Sequence, residues 1–229
     1  MDFSLFIPNM IKLWQEYWQL FLFEGLKNTL ILTAISVALG TILGALVAMA
    51  KMSKHKIIRF LISIYIEVIR GTPILLQLYV FYFVLPNVFT FMKLSPFMWV
   101  SIALCVNSAA YVSEVIRSGI QAVDKGQTEA ARSLGLNKTQ TMLKVVLPQA
   151  IKNILPALCN EGIAVLKETS IVGLIAVVDL TRASDLVRSR TLSPYFPLIA
   201  VAIVYYILVA GLSAAVSALE RRLAQSDRH

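Results

Sequence analysis

Three polar side chains stand in apolar surroundings that make each of them costly: Arg70, Asn107 and Glu161. A charge inside hydrocarbon is expensive, so each is by default a candidate functional residue. Arg70 carries a planar fork of donors that matches a carboxylate. Glu161 can receive an ammonium, so the two together suit an amino acid. Tyr111 lies one helical turn from Asn107, and Asn160 and Lys167 stand seven residues apart, as do Glu161 and Glu168. That spacing forms a polar stripe along one helix side. The rival reading is that Arg70 and Glu161 pair with each other, or with Glu67 and Lys167, and only hold helices in register. Glu114 and Arg117 have the i, i+3 spacing of a helical ion pair. Pro73 lacks an amide N–H, which would leave the carbonyl of Ile69, four residues back, free to accept a bond.

The elements that must position these residues are apolar helices. The 229 residues are 58% hydrophobic and 15% charged, well below the charge of an ordinary soluble domain. About 20 apolar residues cross the hydrocarbon. Five stretches qualify, at about 26–50, 57–85, 97–115, 151–175 and 194–219. The second is too long for one straight crossing and contains Gly71-Thr72-Pro73, so tilt or a break there must take up the excess. Arg70, Asn107 and Glu161 then each fall roughly 15–20 Å from one end of their own span at 1.5 Å per residue, near a common midplane.

Ahead of the first span, residues 1–24 place Phe3, Ile7, Met10, Trp14, Trp18 and Phe21 on one face. That face suits a helix lying in the membrane interface or one packed on the bundle. Gly40 and Gly44, with Ala45 and Ala48, allow close helix approach in the first span. Cys105 and Cys159 lie in apolar stretches without partners at metal-ligand spacing and read as structural thiols.

The net charge of +8 is topological rather than a sign of nucleic-acid binding. Most bases fall after the first span (Lys51, Lys54, Lys56, Arg59), after the third (Arg117 to Lys152) and after the fifth (Arg221, Arg222, Arg228). By the positive-inside rule those segments are cytoplasmic, the N-terminus is outside and the tail 221–229 is inside.

The segment 117–150 is too long for a simple connection. Gln127 to Ser133 is a good helix former, Gly135 suits a helix stop, and Asn137 can cap a second helix. Its pattern is Glu129-Ala130-Ala131, Gly135, then Val145-Val146-Leu147-Pro148. This resembles the EAA signature of permease subunits of bacterial ABC importers, with Val145 where Ile is usual.

Further stretches narrow the likeness to the polar amino acid permeases, the group that carries histidine, arginine and glutamine. They are Arg70-Gly71-Thr72-Pro73, Ala110-Tyr111, Glu114, Arg117-Ser118-Gly119-Ile120, Lys125-Gly126-Gln127, Leu147-Pro148-Gln149-Ala150, Asn160-Glu161-Gly162-Ile163 and Lys167-Glu168-Thr169-Ser170. Two positions depart from the group: Glu168 stands where Asp is usual, and Gly162 where a bulky aromatic is frequent. The likeness covers roughly residues 25–220.

The resemblance implies an all-α, five-helix permease in the bacterial inner membrane. It implies that Glu129, Ala130, Ala131 and Gly135 dock on an ATPase subunit, that a second permease pairs with this one, and that an extracytoplasmic binding protein delivers the solute. The sequence contains no G-x-x-x-x-G-K-[ST] loop, so no cofactor is expected on this chain, and ATP and Mg belong to the partner ATPase. The rival class is an ion-coupled secondary transporter using Glu114 or Glu161. The lack of an internal repeat argues against it. Enzyme chemistry has no support, because His55 and His229 lie outside the spans and no nucleophile or metal cluster appears.

Overall fold

The computed structural model describes residues 6–175 and 177–225, all in helices and short connections. Phe3 and Arg228, counted above in the N-terminal face and the basic tail, lie outside the described residues, as does His229. Four described helices are long and apolar enough to cross a membrane, and a fifth crossing results if one bent pair counts as a span.

The centre of the fold is α6 (Pro96–Gln121), which Ser95 caps by accepting from the Met98 amide N–H. Its small residues, among them Ala103, Ser108, Ala109 and Ala110, are buried on several sides. Against it lies α2 (Lys27–Lys51), whose buried residues Thr29, Leu32, Ser36, Gly40, Gly44 and Ala48 recur every three or four positions. That stripe of small side chains lets the two backbones approach. A Cβ on Gly40 would stand 2.7 Å from Ser108 Oγ, and one on Gly44 2.5 Å from Val112 Cγ1. The glycine pair therefore serves packing within the chain, against α6. Against both α2 and α6 packs α9 (Leu147–Glu168), where Gly119 gives way to Ile154.

Ahead of α2 runs α1 (Phe6–Gln19), joined to it without a break through a π-helical stretch at Leu20–Leu26. Leu13 and Phe21 are buried against Leu180, Ala183, Val187 and Val201. Packing on the bundle thus accounts for part of the aromatic N-terminal face, while Trp14 and Trp18 stay partly exposed. The π stretch widens the helix where Gly25 passes 3.1 Å, in Cβ terms, from the Leu180 backbone.

Two helices close the end of the bundle opposite α7. A 3-10 stretch at Thr169–Ile175 leads from α9 to α10 (Leu180–Thr191), and α11 (Phe196–Gln225) forms the last crossing. Asp179 caps α10 by accepting from the amides of Thr181 (3.0 Å) and Arg182 (2.9 Å). Thr29 Oγ1 on α2 accepts from the Leu180 amide, and Asn28 donates to the Val178 carbonyl. Burial pushes the Asp179 carboxyl up from the ordinary carboxylate range, and the two amide N–H groups oppose that rise.

The outward faces of α2 and α11 are largely apolar. Leu39, Ile42 and Leu46 on α2 and Ile203, Tyr206 and Ile207 on α11 point outward. So large an apolar exterior fits lipid as solvent.

Filling the α2–α6 contact should destabilise the fold. Gly44→Val is expected to cost about 1–3 kcal/mol, read as a lower midpoint in thermal unfolding of the solubilised protein. Gly211→Ala, where nothing lies within 4 Å of the added Cβ, should leave the midpoint unchanged.

Candidate functional site

The second apolar stretch is a broken helix. Helix α3 (Lys56–Gly71) ends at Thr72, which is extended (φ −120, ψ 147) as a residue preceding proline must be. Helices α4 (Ile74–Tyr79) and α5 (Leu85–Val88), with a π stretch between them, continue at 108° to α3. Of tilt and break, the structure uses the break.

A helix end in hydrocarbon leaves carbonyls without partners. Two side chains serve them here: Thr72 Oγ1 donates to the Val68 carbonyl at 2.7 Å, and Gln77 reaches three further acceptors. Gln77 Nε2 donates to the Ile69 carbonyl (2.7 Å), the Thr72 carbonyl (3.0 Å) and Thr72 Oγ1 (2.9 Å). The other end of the amide, Oε1, accepts from Asn107 Nδ2 on α6 at 2.9 Å. Nearby, Tyr65 donates its hydroxyl to the Val106 carbonyl at 2.6 Å. One sequence expectation changes accordingly: the Ile69 carbonyl is occupied. Asn107, only 3% exposed, is engaged with Gln77.

Arg70, in the last turn of α3, is held beside this clamp. Its guanidinium lies 5.3 Å from the Tyr111 ring centroid and 3.7 Å from Glu114 Oε2. Glu114 in turn accepts from Arg117 at 2.7 and 3.1 Å, the pair expected from its spacing. Arg70 makes no hydrogen bond among the described residues, and its side chain is 43% exposed. Tyr111 thus braces Arg70 through its ring face.

Glu161 on α9 is half-buried and makes no hydrogen bond or ion pair among the described residues, while lying within electrostatic reach of both Arg70 and Glu168. The direct Arg70–Glu161 pairing considered above is absent, and the carboxylate beside Arg70 is Glu114 instead. Asn160 is exposed next to Glu161. Lys167 lines a separate recess of ≈ 300 Å³ with Ser170, Tyr205, Tyr206 and Val209. Among the described residues no cluster of His, Cys, Asp and Glu could hold a metal.

The loop between α6 and α9 is built for display. Helix α7 (Lys125–Ser133) starts at Asp124, which accepts from the Gly126 amide at 2.6 Å. It stops in a Schellman arrangement: the Leu136 amide donates to Ala131 and the Gly135 amide to Arg132, with Gly135 at φ +85. Asn137 and Gln140 then form a capping box that starts α8 (Lys138–Thr141). Gln149 donates to Gln127 at 3.3 Å and ties α7 back to the start of α9. Glu129, Ala130 and Gly135 are exposed. Ala131 is 4% exposed and packs inside the hairpin, where it shapes the loop.

Residues 40–225 match the family of binding-protein-dependent transport system inner membrane components. The chain belongs to this family. It is a membrane permease subunit, and ATP hydrolysis in such a system is done by separate ATPase subunits. A putative glutamine transport system permease protein of Rickettsia bellii is 42% identical over 204 residues, covering 89% of this chain and 93% of the relative. The arginine transport system permease protein ArtQ of Bacillus subtilis is 40% identical over 227 residues, 99% of each. In three dimensions the permease is similar to a solved amino acid ABC transporter with histidines: TM-score 0.86, 46% identity, covering 90% of this chain and 95% of the other. The MetNI methionine transporter, at 19% identity and TM-score 0.69, shares the fold. Nothing in these likenesses favours an ion-coupled carrier.

Sequence reading missed Gln77. The available signal was a polar residue four positions after a proline in an apolar stretch, which the cost of such residues in hydrocarbon should have flagged. Asp179 also escaped notice: it caps α10 through the local amides of Thr181 and Arg182, and Tyr205 on α11 donates to it across the bundle.

The Gln77–Asn107 contact should behave as one unit. Gln77→Leu or Asn107→Leu alone is expected to cost about 1–3 kcal/mol for the buried groups left unpaired. The double variant should cost less than the sum by about 1 kcal/mol. A double-mutant cycle on thermal unfolding in lipid nanodiscs measures this.

Proposed function

We propose that this permease forms one half of the solute path of an ATP-driven importer for polar amino acids, with Arg70 and Glu161 as its solute-facing charges. The observation that carries the reading is their shared state. Each is a charged side chain of an apolar span with no hydrogen bond of its own, and the two lie within electrostatic reach. A charge left unsatisfied in lipid is costly, whereas one facing a polar path between two subunits is not. A second permease, a copy or a relative, closing over this face would create that path. The relatives' names and the solved neighbour's title support amino acids as the cargo.

In this reading Arg70 receives the solute carboxylate through its fork of donors, with Tyr111 and Glu114 fixing its direction. Glu161 receives an ammonium, either the α-amino group or a cationic side chain. Asn107 sits behind the clamp and acts by position. Asn160 and Lys167 lie at the edges of the same α9 stripe. The exposed Glu129, Ala130 and Gly135 face the ATPase, which carries ATP and Mg. Closure of an ATPase pair would draw the two α7 helices together and open the bundle outward, where a binding protein delivers the solute. The distribution of bases puts α7 in the cytoplasm and the N-terminus outside. Transport requires the two states to differ in solute affinity.

Solute titration of the assembled importer tests the site. Glu161→Gln should weaken solute binding about 10–100-fold, the worth of a charge-assisted bond; if Glu161 receives a cationic side chain, arginine, lysine or histidine loses more than glutamine, and if it receives the α-amino group all lose alike. Equal affinities in variant and parent would remove Glu161 from the site. Separately, Glu129→Ala should reduce solute-stimulated ATP hydrolysis while leaving solute affinity unchanged. Uptake driven by an ion gradient in vesicles without any ATPase would sink the importer reading itself.

A further inference from the structure

Arg70 is contested from within the chain. Its Nη1 lies 3.7 Å from Glu114 Oε2, within ion-pair range but too long for a hydrogen bond. Glu114 is well served without it. Arg117 donates from Nε to both carboxylate oxygens at 3.1 Å and from Nη2 to Oε2 at 2.7 Å. Gln121 Oε1 holds Arg117 in turn, accepting from Nη1 at 2.7 Å. Lys51, which donates to Ser63 Oγ, lies within electrostatic reach of the same carboxylate.

The two partners therefore stand unequally. Glu114 can lose Arg70 and keep every hydrogen bond that Arg117 gives it. Arg70 rests on the Tyr111 ring face, 5.3 Å from its centroid, and its 43% exposed side chain has room for a second carboxylate. A solute carboxylate arriving there would share one guanidinium with Glu114, and like charges that close repel. A solute ammonium gains nothing at Glu114, because Arg70, Arg117 and Lys51 already serve it with positive charge.

We propose that Glu114 is an internal competitor for Arg70: it holds the guanidinium in the empty site and yields it to the solute carboxylate. Glu114 thereby sets the affinity of the site and the polarity of the solute, with the carboxylate at Arg70 and the ammonium directed away from Glu114. This deepens the reading above and rests on Arg70 as a solute contact. It also differs in sign from a purely structural role. Removing a residue that only aimed Arg70 would weaken binding. Removing a competitor strengthens it, while Tyr111 still aims the guanidinium.

The test is solute titration of the assembled importer with its ATPase subunits, using L-arginine, L-histidine, L-glutamine and the α-amide of each. Glu114→Gln should tighten amino acid binding about three- to tenfold, the effect of removing one ion pair and one like-charge contact. The amides, which lack the carboxylate, should bind as to the parent or more weakly. Glu114→Asp draws the carboxylate back by one methylene and leaves Arg117 a charged partner, so it reads the same gain, smaller, even where Gln unfolds the chain. Unchanged or weaker amino acid binding in the folded variants overturns the proposal, and so does an equal gain for acids and amides. Arg70→Gln separates the two readings. It should weaken amino acid binding about tenfold or more; binding equal to the parent would remove Arg70 from the site and the competitor with it. Loss in Arg70→Gln without a gain in the Glu114 variants overturns the competitor role alone.

Discussion

Breaking a helix inside hydrocarbon exposes backbone carbonyls where no water can serve them, and the amide of Gln77 resolves that difficulty here. Its nitrogen spans the end of α3 and the Thr72 turn, while its oxygen is held by Asn107 on the central helix. Without that clamp the 108° bend would leave several buried groups unpaired, each worth about 1–3 kcal/mol. The bend sets where α3 ends, and so where Arg70 emerges. Arg70 also owes its freedom to the clamp, since Gln77 has already met the carbonyls that a nearby guanidinium would otherwise serve.

From that point the rest of the geometry follows. The stripe of small residues on α2 and the buried face of α6 bring backbones close enough for Asn107 and Tyr111 to reach across to α3 and α4. Glu114, tied down by Arg117, supplies a carboxylate that steadies Arg70 at 3.7 Å without saturating it. Glu161 comes from α9, which packs on both α2 and α6. At the α7 end of the bundle, Gly135 and Asn137 turn the chain twice within a few residues, so α7 is rigid, exposed and connected through Gln149 to the helix that bears Glu161. Motion imposed on α7 therefore has a path along α9 to Glu161, the proposed solute-facing charge.

The parts legible in the sequence were those fixed by local chemistry. Gly135 and Asn137 announce a stop and a start because only particular residues suit a positive φ or an N-cap, and the structure uses both. The i, i+3 pairing of Glu114 with Arg117 depends on one helix alone and also holds. Arg70 and Glu161 stood out because charge is rare in such spans. Depth, however, does not specify which way a side chain turns about its helix. Asn107 shares a midplane with Arg70 and Glu161, but its azimuth on α6 directs it to Gln77, 30 residues earlier. Ala131 is part of a recognisable pattern, yet only the folded hairpin determines that it points inward. Helix α10 was not anticipated at all, because its polar sequence is held by the Asp179 cap and by contacts from α2 and α11.

The central claim is that a clamped break delivers Arg70 to a solute shared with Glu161. A structure of the assembled importer in a lipid bilayer with its amino acid bound tests it most directly. The account predicts solute density between Arg70 and Glu161, the carboxylate toward Arg70, with the Gln77–Asn107 hydrogen bond intact. Solute density beside Lys167 and Tyr205, with Arg70 still engaged only with Glu114, would contradict it.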